Sequence, residues 1–191
     1  MPTLNLPSTA AVRVLKAAGV EFAAHVYDYV ERGGTRHSAE ALGVDEHRVV
    51  KTLVMESRGR EGGPATEGRP PAVGGGVRRT ATTQPQPLLV LMHGDREVST
   101  RELARQIGAR EVAPASAAAV EKHTGYVPGG VSPFGTRRSL PVYVESSILS
   151  LERFLVNGGR RGFLVELTPD AFLRVVVPVR VDVAIEARSP R

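Results

Sequence analysis

Two spacings of apolar residues recur along the chain, one typical of helices and one typical of strands. Helical spacing beside capping residues predicts short helices at residues 8–19, 38–43, 99–108 and 114–122 and from Thr168 onwards. Alternating or continuous runs of branched apolar residues predict strands at 22–26, 49–56, 88–92, 141–144, 153–157, 162–167 and 179–185. Helices and strands that alternate irregularly in this way indicate an α+β domain with a mixed sheet.

Polar and glycine residues mark the ends of several of these elements. Ser99 and Glu102 have the spacing of a capping box, in which each side chain bonds the backbone amide of the other residue. The pair Gly158–Gly159 predicts a tight turn between the strands at 153–157 and 162–167.

Residues 58–87 form a different kind of segment. They contain seven Gly and five Pro and no periodic apolar pattern, so they cannot bury enough surface to offset the entropy of ordering them. We predict a disordered insertion here. Because strands flank it on both sides, the surrounding structure is predicted to be a β-hairpin with a long loop. Its five Arg and two Glu suit either a solvated charged loop or an arm that contacts RNA.

Length and composition limit the class of protein. The 191 residues fit one domain, taken here as 1–188 with the insertion inside it. The absence of Cys excludes disulfides, zinc-thiolate sites, iron–sulfur clusters and a cysteine nucleophile. The first residues lack the pattern of a secretory signal, and no apolar run approaches the ~18 residues of a membrane span. We therefore expect a soluble cytoplasmic protein without a membrane partner.

The charge balance is basic but unevenly distributed. The formal net charge of +5 and the pI of about 10.1 are compatible with a nucleic-acid partner. The insertion alone carries a net charge of +3, so the remaining chain is only mildly basic. Lysine is rare in this Arg-rich chain, with Lys16, Lys51 and Lys122 as its three examples.

One of these lysines lies in the middle of an apolar strand. Lys51 shares a strand face with Val49, Leu53 and Met55, while Thr52 points to the opposite face. A lysine among aliphatic side chains must pair with an anion, extend its stem to solvent or lose its proton. The alternative is a lysine on an edge strand that discourages aggregation.

Two glycine-rich segments are further candidates for binding. Residues 124–135 place four Gly and two Pro around one Tyr, one Ser and one Phe, which fixes the backbone and leaves amides free for a ligand. The segment also suits a purely structural loop. Residues 157–162 combine a tight turn with Arg160 and Arg161, which suits either a phosphate or solvent.

Other chemistries have little support in the sequence. The five His show no metal-ligand spacing, and we expect them at the surface or in loops. No G-x-S-x-G motif is present, so a serine nucleophile is unsupported. An enzyme built from this chain would work by positioning and by backbone dipoles.

In their order along the chain, four segments together resemble the YbaK/EbsC family: the strand end at His25–Tyr27, the strand around Lys51, the loop at 124–135 and the turn at 157–162. These proteins are trans-editing aminoacyl-tRNA deacylases related to the editing domain of bacterial prolyl-tRNA synthetase. The resemblance covers nearly the whole chain apart from the insertion. It implies a mixed, partly closed β-sheet with short flanking helices. It also implies activity on Cys-tRNA(Pro) or Cys-tRNA(Cys), prolyl-tRNA synthetase as a partner, and no cofactor or metal.

The resemblance also assigns roles to individual residues. Lys51 and Gly129 would be catalytic, with Lys51 holding the terminal adenosine or its phosphate and Gly129 offering its backbone amide to the carbonyl. Six residues would bind the substrate or shape its loop: Tyr27, Thr52, Gly130, Val131, Ser132 and Pro133. Phe163 and Leu164 stand where some relatives have an acidic or polar residue, which puts a polar pocket role at this point in doubt.

In the YbaK type, the thiol of the substrate attacks its own ester carbonyl and releases a cysteine thiolactone. This chemistry fits a chain with no nucleophile of its own. Two alternatives remain open. One is a deacylase that uses water on another mischarged tRNA, such as Ala-tRNA(Pro). The other is a non-catalytic module that binds tRNA or a synthetase.

Overall fold

The structure is a computed structural model that describes residues 7–59 and 84–187. The predicted disorder of the insertion concerns mainly residues 60–83, which lie outside the described residues. At the edges of the segment the structure differs from the prediction, because residues 58–59 and 86–87 belong to strands.

Five helices and ten strands form the described part of the chain. The helices are α1 (Ala10–Ala17), α2 (Gly34–Leu42), α3 (Thr100–Gln106), α4 (Ala117–Thr124) and α5 (Pro169–Leu173). The strands are β1 (Ala23–Val26), β2 (Val49–Gly59), β3 (Gln86–His93), β4 (Arg96–Val98), β5 (Ala109–Pro114), β6 (Val142–Glu145), β7 (Phe154–Arg160), β8 (Phe163–Leu167), β9 (Val179–Val181) and β10 (Ala184–Glu186). Short 3₁₀ turns at Glu46–Arg48 and Ser146–Ser150 precede β2 and follow β6.

The main sheet contains eight strands in mixed orientation. Seven follow the order β1-β8-β7-β2-β3-β6-β9, and β5 pairs with β2 beside this path. The β2–β7, β3–β6 and β6–β9 pairs are parallel, and the other pairs of the sheet are antiparallel. The predicted α+β class with a mixed sheet is confirmed, and so is the hairpin formed by β2 and β3.

Along one edge of β2, the neighbouring strand changes part-way along its length. On one side β2 pairs with β3 from Val50 to Ser57. On the other side its first two residues pair with β7, and its pairing with β5 begins only at Met55. Residues 51–53 therefore face an opening in the sheet, and β2 is an interior strand. This rules out the alternative that Lys51 is a lysine on an edge strand.

Most of the aromatic residues lie in one core cluster. Phe134, Phe154, Phe163 and Phe172 are each at most 1% exposed, and Phe172 makes edge contacts with two of these rings. Aliphatic side chains form a second cluster around Leu103. A core with few aromatics thus concentrates them on one side of the sheet, where edge-to-face packing stabilises it.

Side-chain caps begin four of the helices; those at Thr9, Ser99 and Thr168 are predicted from the sequence, and that at Ser116 is not. Only one half of the predicted capping box forms, because the Ser99 amide donates to the Val183 carbonyl and the Glu102 carboxylate bonds Arg105 and Gln106. The hydroxyls of Thr9, Ser99, Ser116 and Thr168 accept hydrogen bonds from backbone amides in the first turn. Such a cap stabilises a helix by about 1 kcal/mol. The prediction is wrong for α2, which begins at Gly34. Ser38 lies within that helix, where its hydroxyl donates to a carbonyl of the preceding turn.

Three other predictions need correction. The strand β7 continues through Gly158–Gly159 to Arg160, because the Asn157 side chain accepts hydrogen bonds from two amides there and creates a bulge. The predicted strand at 179–185 is two strands, β9 and β10, in different sheets. Residues 109–114 form the strand β5, so α4 starts later than residue 114. The short strand β4, which pairs with β10, carries too few residues for a periodic signal.

Candidate active site

A cavity of about 430 Å³ lies at the opening beside β2. Five of the residues predicted from the sequence line it: Tyr27, Lys51, Thr52, Gly129 and Val131. The fold thus brings together residues from the end of β1, from β2 and from the loop after α4. Val50, Leu53, Val131 and Leu164 add apolar wall, so the cavity combines a few polar groups with aliphatic side chains, as small-molecule sites do.

Lys51 lies in the cavity wall with its ammonium group held in place. Its Nζ donates to the carbonyl of Gly94 at 2.9 Å. The Thr35 Oγ1 lies 3.2 Å from the same oxygen and donates to the Glu46 carboxylate at 2.8 Å. Burial lowers the pKa of the Lys51 ammonium, while the carboxylates of Glu46, Glu97 and Asp95 act in the opposite direction. An ammonium has three donors, so two N–H groups of Lys51 are left for a ligand or for water.

Thr52 presents two polar groups at the opening of the sheet. Its Oγ1 is buried and has no hydrogen-bond partner among the described residues. The carbonyl of Val54 accepts from Ala115 and so points away from β3. In an antiparallel ladder, the backbone N–H and C=O groups of residues two positions apart point to the same side of the strand. The N–H of Thr52 is therefore directed into the gap between β7 and β5, where an oxygen of a ligand could accept from it.

Gly129 brings bare backbone to the cavity on the opposite side. Its φ of +82° lies in the left-handed region that favours glycine. The Asn157 side chain donates from Nδ2 to the Gly129 carbonyl at 3.1 Å, and its Oδ1 accepts from the amides of Gly159 at 2.7 Å and Arg160 at 3.1 Å. Asn157 therefore connects the Gly129 loop to the bulge in β7 by three hydrogen bonds.

The other predicted loop residues lie beneath the cavity lining. Gly130 packs so closely that a Cβ would lie 3.2 Å from the backbone nitrogen of Arg161. Ser132 is fully buried, and its Oγ accepts from the amide of Phe134 at 3.3 Å. Pro133 is also buried. None of these three residues lines the cavity, so the structure places them as supports of the loop.

Buried aromatic groups fix the surroundings of the loop. Tyr126 donates from its hydroxyl to the carbonyl of Phe134 at 2.6 Å, and burial raises the pKa of Tyr126 to about 12. On the opposite wall, burial raises the pKa of Tyr27, and its ring lies 6.1 Å from that of His37. Both tyrosines are neutral near pH 7, and the single O–H of Tyr126 is already used in its hydrogen bond to Phe134.

Sequence reasoning missed several residues that line the cavity. Asn157, Tyr29 and His37 contribute polar groups, and Leu164 contributes an apolar one. The turn at 157–162 gave a usable signal, because an Asn before two Gly is typical of a side chain that bonds its own backbone. No comparable signal marks Tyr29 or His37.

The expected exposure of the histidines is wrong for His93. It is 1% exposed, bonds the His47 carbonyl through Nδ1 at 2.7 Å and the Ser147 hydroxyl through Nε2 at 2.8 Å. Burial lowers its pKa. The ring stacks on His47, which itself contacts Asp95. In the described ranges, no group of three or more His, Asp or Glu is placed to hold a metal ion.

Comparison with known proteins identifies the family. The model of the aminoacyl-tRNA editing domain matches residues 34–175. The chain belongs to this family. The match spans the cavity residues from Gly34 to Leu164, and the resemblance to YbaK/EbsC proteins is confirmed.

Individual relatives agree with this membership in the editing domain family. EbsC of Enterococcus faecalis, provisionally named a Cys-tRNA(Pro)/Cys-tRNA(Cys) deacylase, is 26% identical over 166 residues, which are 86% of each chain. A proline–tRNA ligase of Stenotrophomonas maltophilia is 33% identical over 76 residues, 40% of this chain and 13% of the ligase. A solved structure, provisionally titled a trans-editing enzyme for prolyl-tRNA synthetase, has a TM-score of 0.68 at 21% identity and covers 93% of this chain and 98% of its own. It supports the fold.

The helices also show whether the described part of the chain contains a membrane-spanning segment. None of those formed by residues 7–59 and 84–187 has the length and apolar character needed to cross a bilayer.

Proposed function

We propose that this editing-domain protein is a trans-acting deacylase that hydrolyses the ester of Cys-tRNA(Pro) by way of a thiolactone and also accepts Cys-tRNA(Cys). The observation that supports this most is the pairing of Lys51 and the Thr52 amide on β2 with the bare Gly129 backbone across one cavity. These groups can polarise an ester carbonyl and hold its ribose, but they include no nucleophile. The similarity to EbsC points to the same substrates.

The proposed reaction uses the thiol of the substrate. The sulfur forms a bond to the carbonyl carbon, and the bond from that carbon to the ribose oxygen breaks. The thiol proton ends on the ribose oxygen, which leaves tRNA with a free 3′ end and a cysteine thiolactone that water later opens. The chain contributes position and electrostatics, because it holds no Cys and no serine in a nucleophile elbow.

The individual groups have separate tasks in this scheme. The Thr52 amide faces the position where negative charge develops on the carbonyl oxygen, and the Gly129 backbone approaches it from the opposite wall. Lys51 offers its remaining N–H groups to the ribose or to the adjacent phosphate. Donors fixed before the reaction avoid the cost of reorganisation, and removing one such donor slows an acyl transfer by ~10²–10³-fold.

The aliphatic wall favours a small, weakly polar side chain. Leu164 and Val131 border the cavity in place of charged groups, which suits a thiol better than a hydroxyl. Discrimination between two small side chains by binding alone is worth ~1–3 kcal/mol. The chemical reactivity of the thiol supplies the remaining selectivity in this proposal.

A panel of mischarged tRNAs tests the proposal. Cys-tRNA(Pro) is expected to react much faster than Ser-tRNA(Pro) and Ala-tRNA(Pro), and mass spectrometry of early samples should detect the thiolactone. Comparable rates for the cysteine and serine esters, with free amino acid as the first product, would assign the protein to the water-using type instead. No release from any of the three would leave a binding module. The Lys51→Ala protein is the inactive control.

We also propose that prolyl-tRNA synthetase delivers the tRNA. Segments of two proline–tRNA ligases match this chain over 40% of its length. A shared editing module is expected to meet the same tRNA in both settings. Adding the synthetase of the same organism should raise kcat/KM for Cys-tRNA(Pro). No change at saturating synthetase would refute the partnership without affecting the deacylase proposal.

A further inference from the structure

The mouth of the cavity carries an exposed aromatic ring paired with a cation. Tyr29 is 38% exposed and lines the cavity. The guanidinium carbon of Arg161 lies 5.2 Å from the centroid of this ring. The Nε of Arg161 donates to the carbonyl of Pro128 at 2.9 Å. This hydrogen bond holds the guanidinium over the ring, so the two side chains form one cation–π pair at the surface.

Two glycines allow this pair to stand at the proposed reaction centre. A Cβ on Gly129 would lie 3.3 Å from the Tyr29 hydroxyl and 3.5 Å from Nε of Arg161. A Cβ on Gly162 would lie 2.7 Å from the Tyr27 carbonyl and 3.5 Å from Cβ of Tyr29. A side chain at position 129 would crowd the Tyr29 hydroxyl, and one at position 162 would clash with the Tyr27 carbonyl two residues before Tyr29. The ring is therefore in contact range of the same Gly129 backbone that faces the ester in the proposed function.

We propose that Tyr29 and Arg161 form a binding site for the terminal nucleobase of an RNA 3′ end. Aromatic rings and guanidinium planes are the side chains on which unpaired bases stack. This inference rests on the proposed function in one respect, the position of the ester at Gly129. The ribose that carries the ester also carries the base, so an ester inside the cavity leaves the base within one sugar width, at the mouth where Tyr29 lies.

Charge at the mouth is consistent with an RNA end. Arg32 lines the cavity with a φ of +63°, a left-handed conformation that is uncommon for residues other than glycine. Asp28 and Glu31 are exposed on the same loop and oppose a phosphate there. Two cationic side chains thus accompany Tyr29 at the mouth: Arg161 lies over its ring, and Arg32 lines the same cavity. A single phosphate beside one stacked base fits this arrangement better than a long backbone track.

Binding of uncharged RNA tests the site independently of catalysis. The probe is an RNA hairpin that ends in single-stranded CCA, compared with the same hairpin whose terminal ribose carries no base. Fluorescence anisotropy at low salt should show about tenfold tighter binding of the hairpin with the terminal adenine, the effect expected for one stacked base. Tyr29→Leu should abolish this preference. Tyr29→Phe, which keeps the ring, should retain it.

The outcomes separate this inference from the deacylase proposal. Equal affinity of the native protein for the two hairpins would overturn the base site, whatever the variants do. A preference that survives in Tyr29→Leu would place the base elsewhere and would also overturn it. Neither hairpin carries an amino acid, so this binding assay does not depend on catalysis. A protein that prefers the hairpin with the terminal adenine, yet releases no amino acid from any mischarged tRNA of the panel, would refute the deacylase proposal alone.

Discussion

Asn157 offers the sharpest test of how the site is held together. Its Nδ2 donates to the Gly129 carbonyl, while its Oδ1 accepts from the amides of Gly159 and Arg160. Asn157→Asp keeps both acceptor contacts and replaces the donor with an oxygen that repels the Gly129 carbonyl. Asn157→Ala removes all three contacts. The two substitutions therefore separate the connection to Gly129 from the support of the bulge.

The expected magnitudes follow from the number of hydrogen bonds. Each contributes about 1 kcal/mol net, so Asn157→Ala should lower the free energy of unfolding by about 3 kcal/mol. Asn157→Asp should lower it by roughly half as much, since only one contact is lost and one repulsion gained. For a chain of this size, 1 kcal/mol corresponds to a Tm shift of roughly 2–4 °C. Release of the Gly129 backbone should reduce kcat by about 10²-fold in both variants, because a misplacement near 1 Å has that effect.

Single-turnover deacylation of Cys-tRNA(Pro), well below each Tm, provides the assay. Ser116→Ala is the matched control, because it removes a cap on α4 and about 1 kcal/mol of stability at a position that does not line the cavity. This control should keep its full rate. A rate for Asn157→Asp equal to that of the native protein would show that the position of Gly129 does not depend on Asn157, and would refute the reasoning.

Three further outcomes are expected. Lys51→Ala should abolish deacylation yet change the Tm little, since burial already disfavours the charged ammonium in the folded state; full activity in a folded variant would contradict the assigned role. Because burial lowers the pKa of Lys51, and a lysine loses its charge as the pH rises, kcat/KM should decline at a pH below the usual range for lysine; a profile flat through that range would argue against an essential ammonium. Replacing residues 60–83 with a short glycine-containing turn should leave saturated turnover intact and make tRNA binding less dependent on salt, and a loss of turnover with unchanged binding would assign the loop to the site.

The sequence was most informative where local chemistry decides the structure. Caps such as Thr9 and Ser99, and the hairpin of β2 and β3, depend on residues close in the chain or on long apolar runs. The bulge at Gly158–Gly159 was missed because two consecutive glycines are typical of a tight turn, and the continuation of the strand to Arg160 is visible only in its pairing with β8. The short strand β4 was missed, and β9 and β10 were predicted as one strand, because the pairing of β4 with β10 is long-range.

The site shows the same division between local and long-range information. Lys51 was singled out by its place in an apolar strand and the loop around Gly129 by its glycines, while the roles of Thr52 and Gly129 were implied by the resemblance to YbaK/EbsC proteins. Their meeting depends on β2 changing partners from β7 to β5, which no local pattern encodes. The change of partner leaves the Thr52 amide facing the gap, so the topology of the sheet itself supplies the donor.

A site built largely from main chain has a consequence for its relatives. Backbone amides at Thr52 and Gly129 remain hydrogen-bond donors when the side chains around them change. This requires that β2 changes its partner strand at the same residues and that the Gly129 loop keeps its position. Under the proposed function, Leu164 can therefore stand where the resemblance implies a polar residue in some relatives, without loss of the groups proposed to polarise the carbonyl. The 26% sequence identity to EbsC is then compatible with the proposed reaction centre, and differences in substrate are expected to come from wall residues such as Leu164 and Val131. Leu164→Asp tests this separation: it should change the ratio of rates for Cys-tRNA(Pro) and Ala-tRNA(Pro) while some deacylation persists. Complete loss of deacylation of both substrates in a folded variant would show that the wall and the reaction centre are not separable.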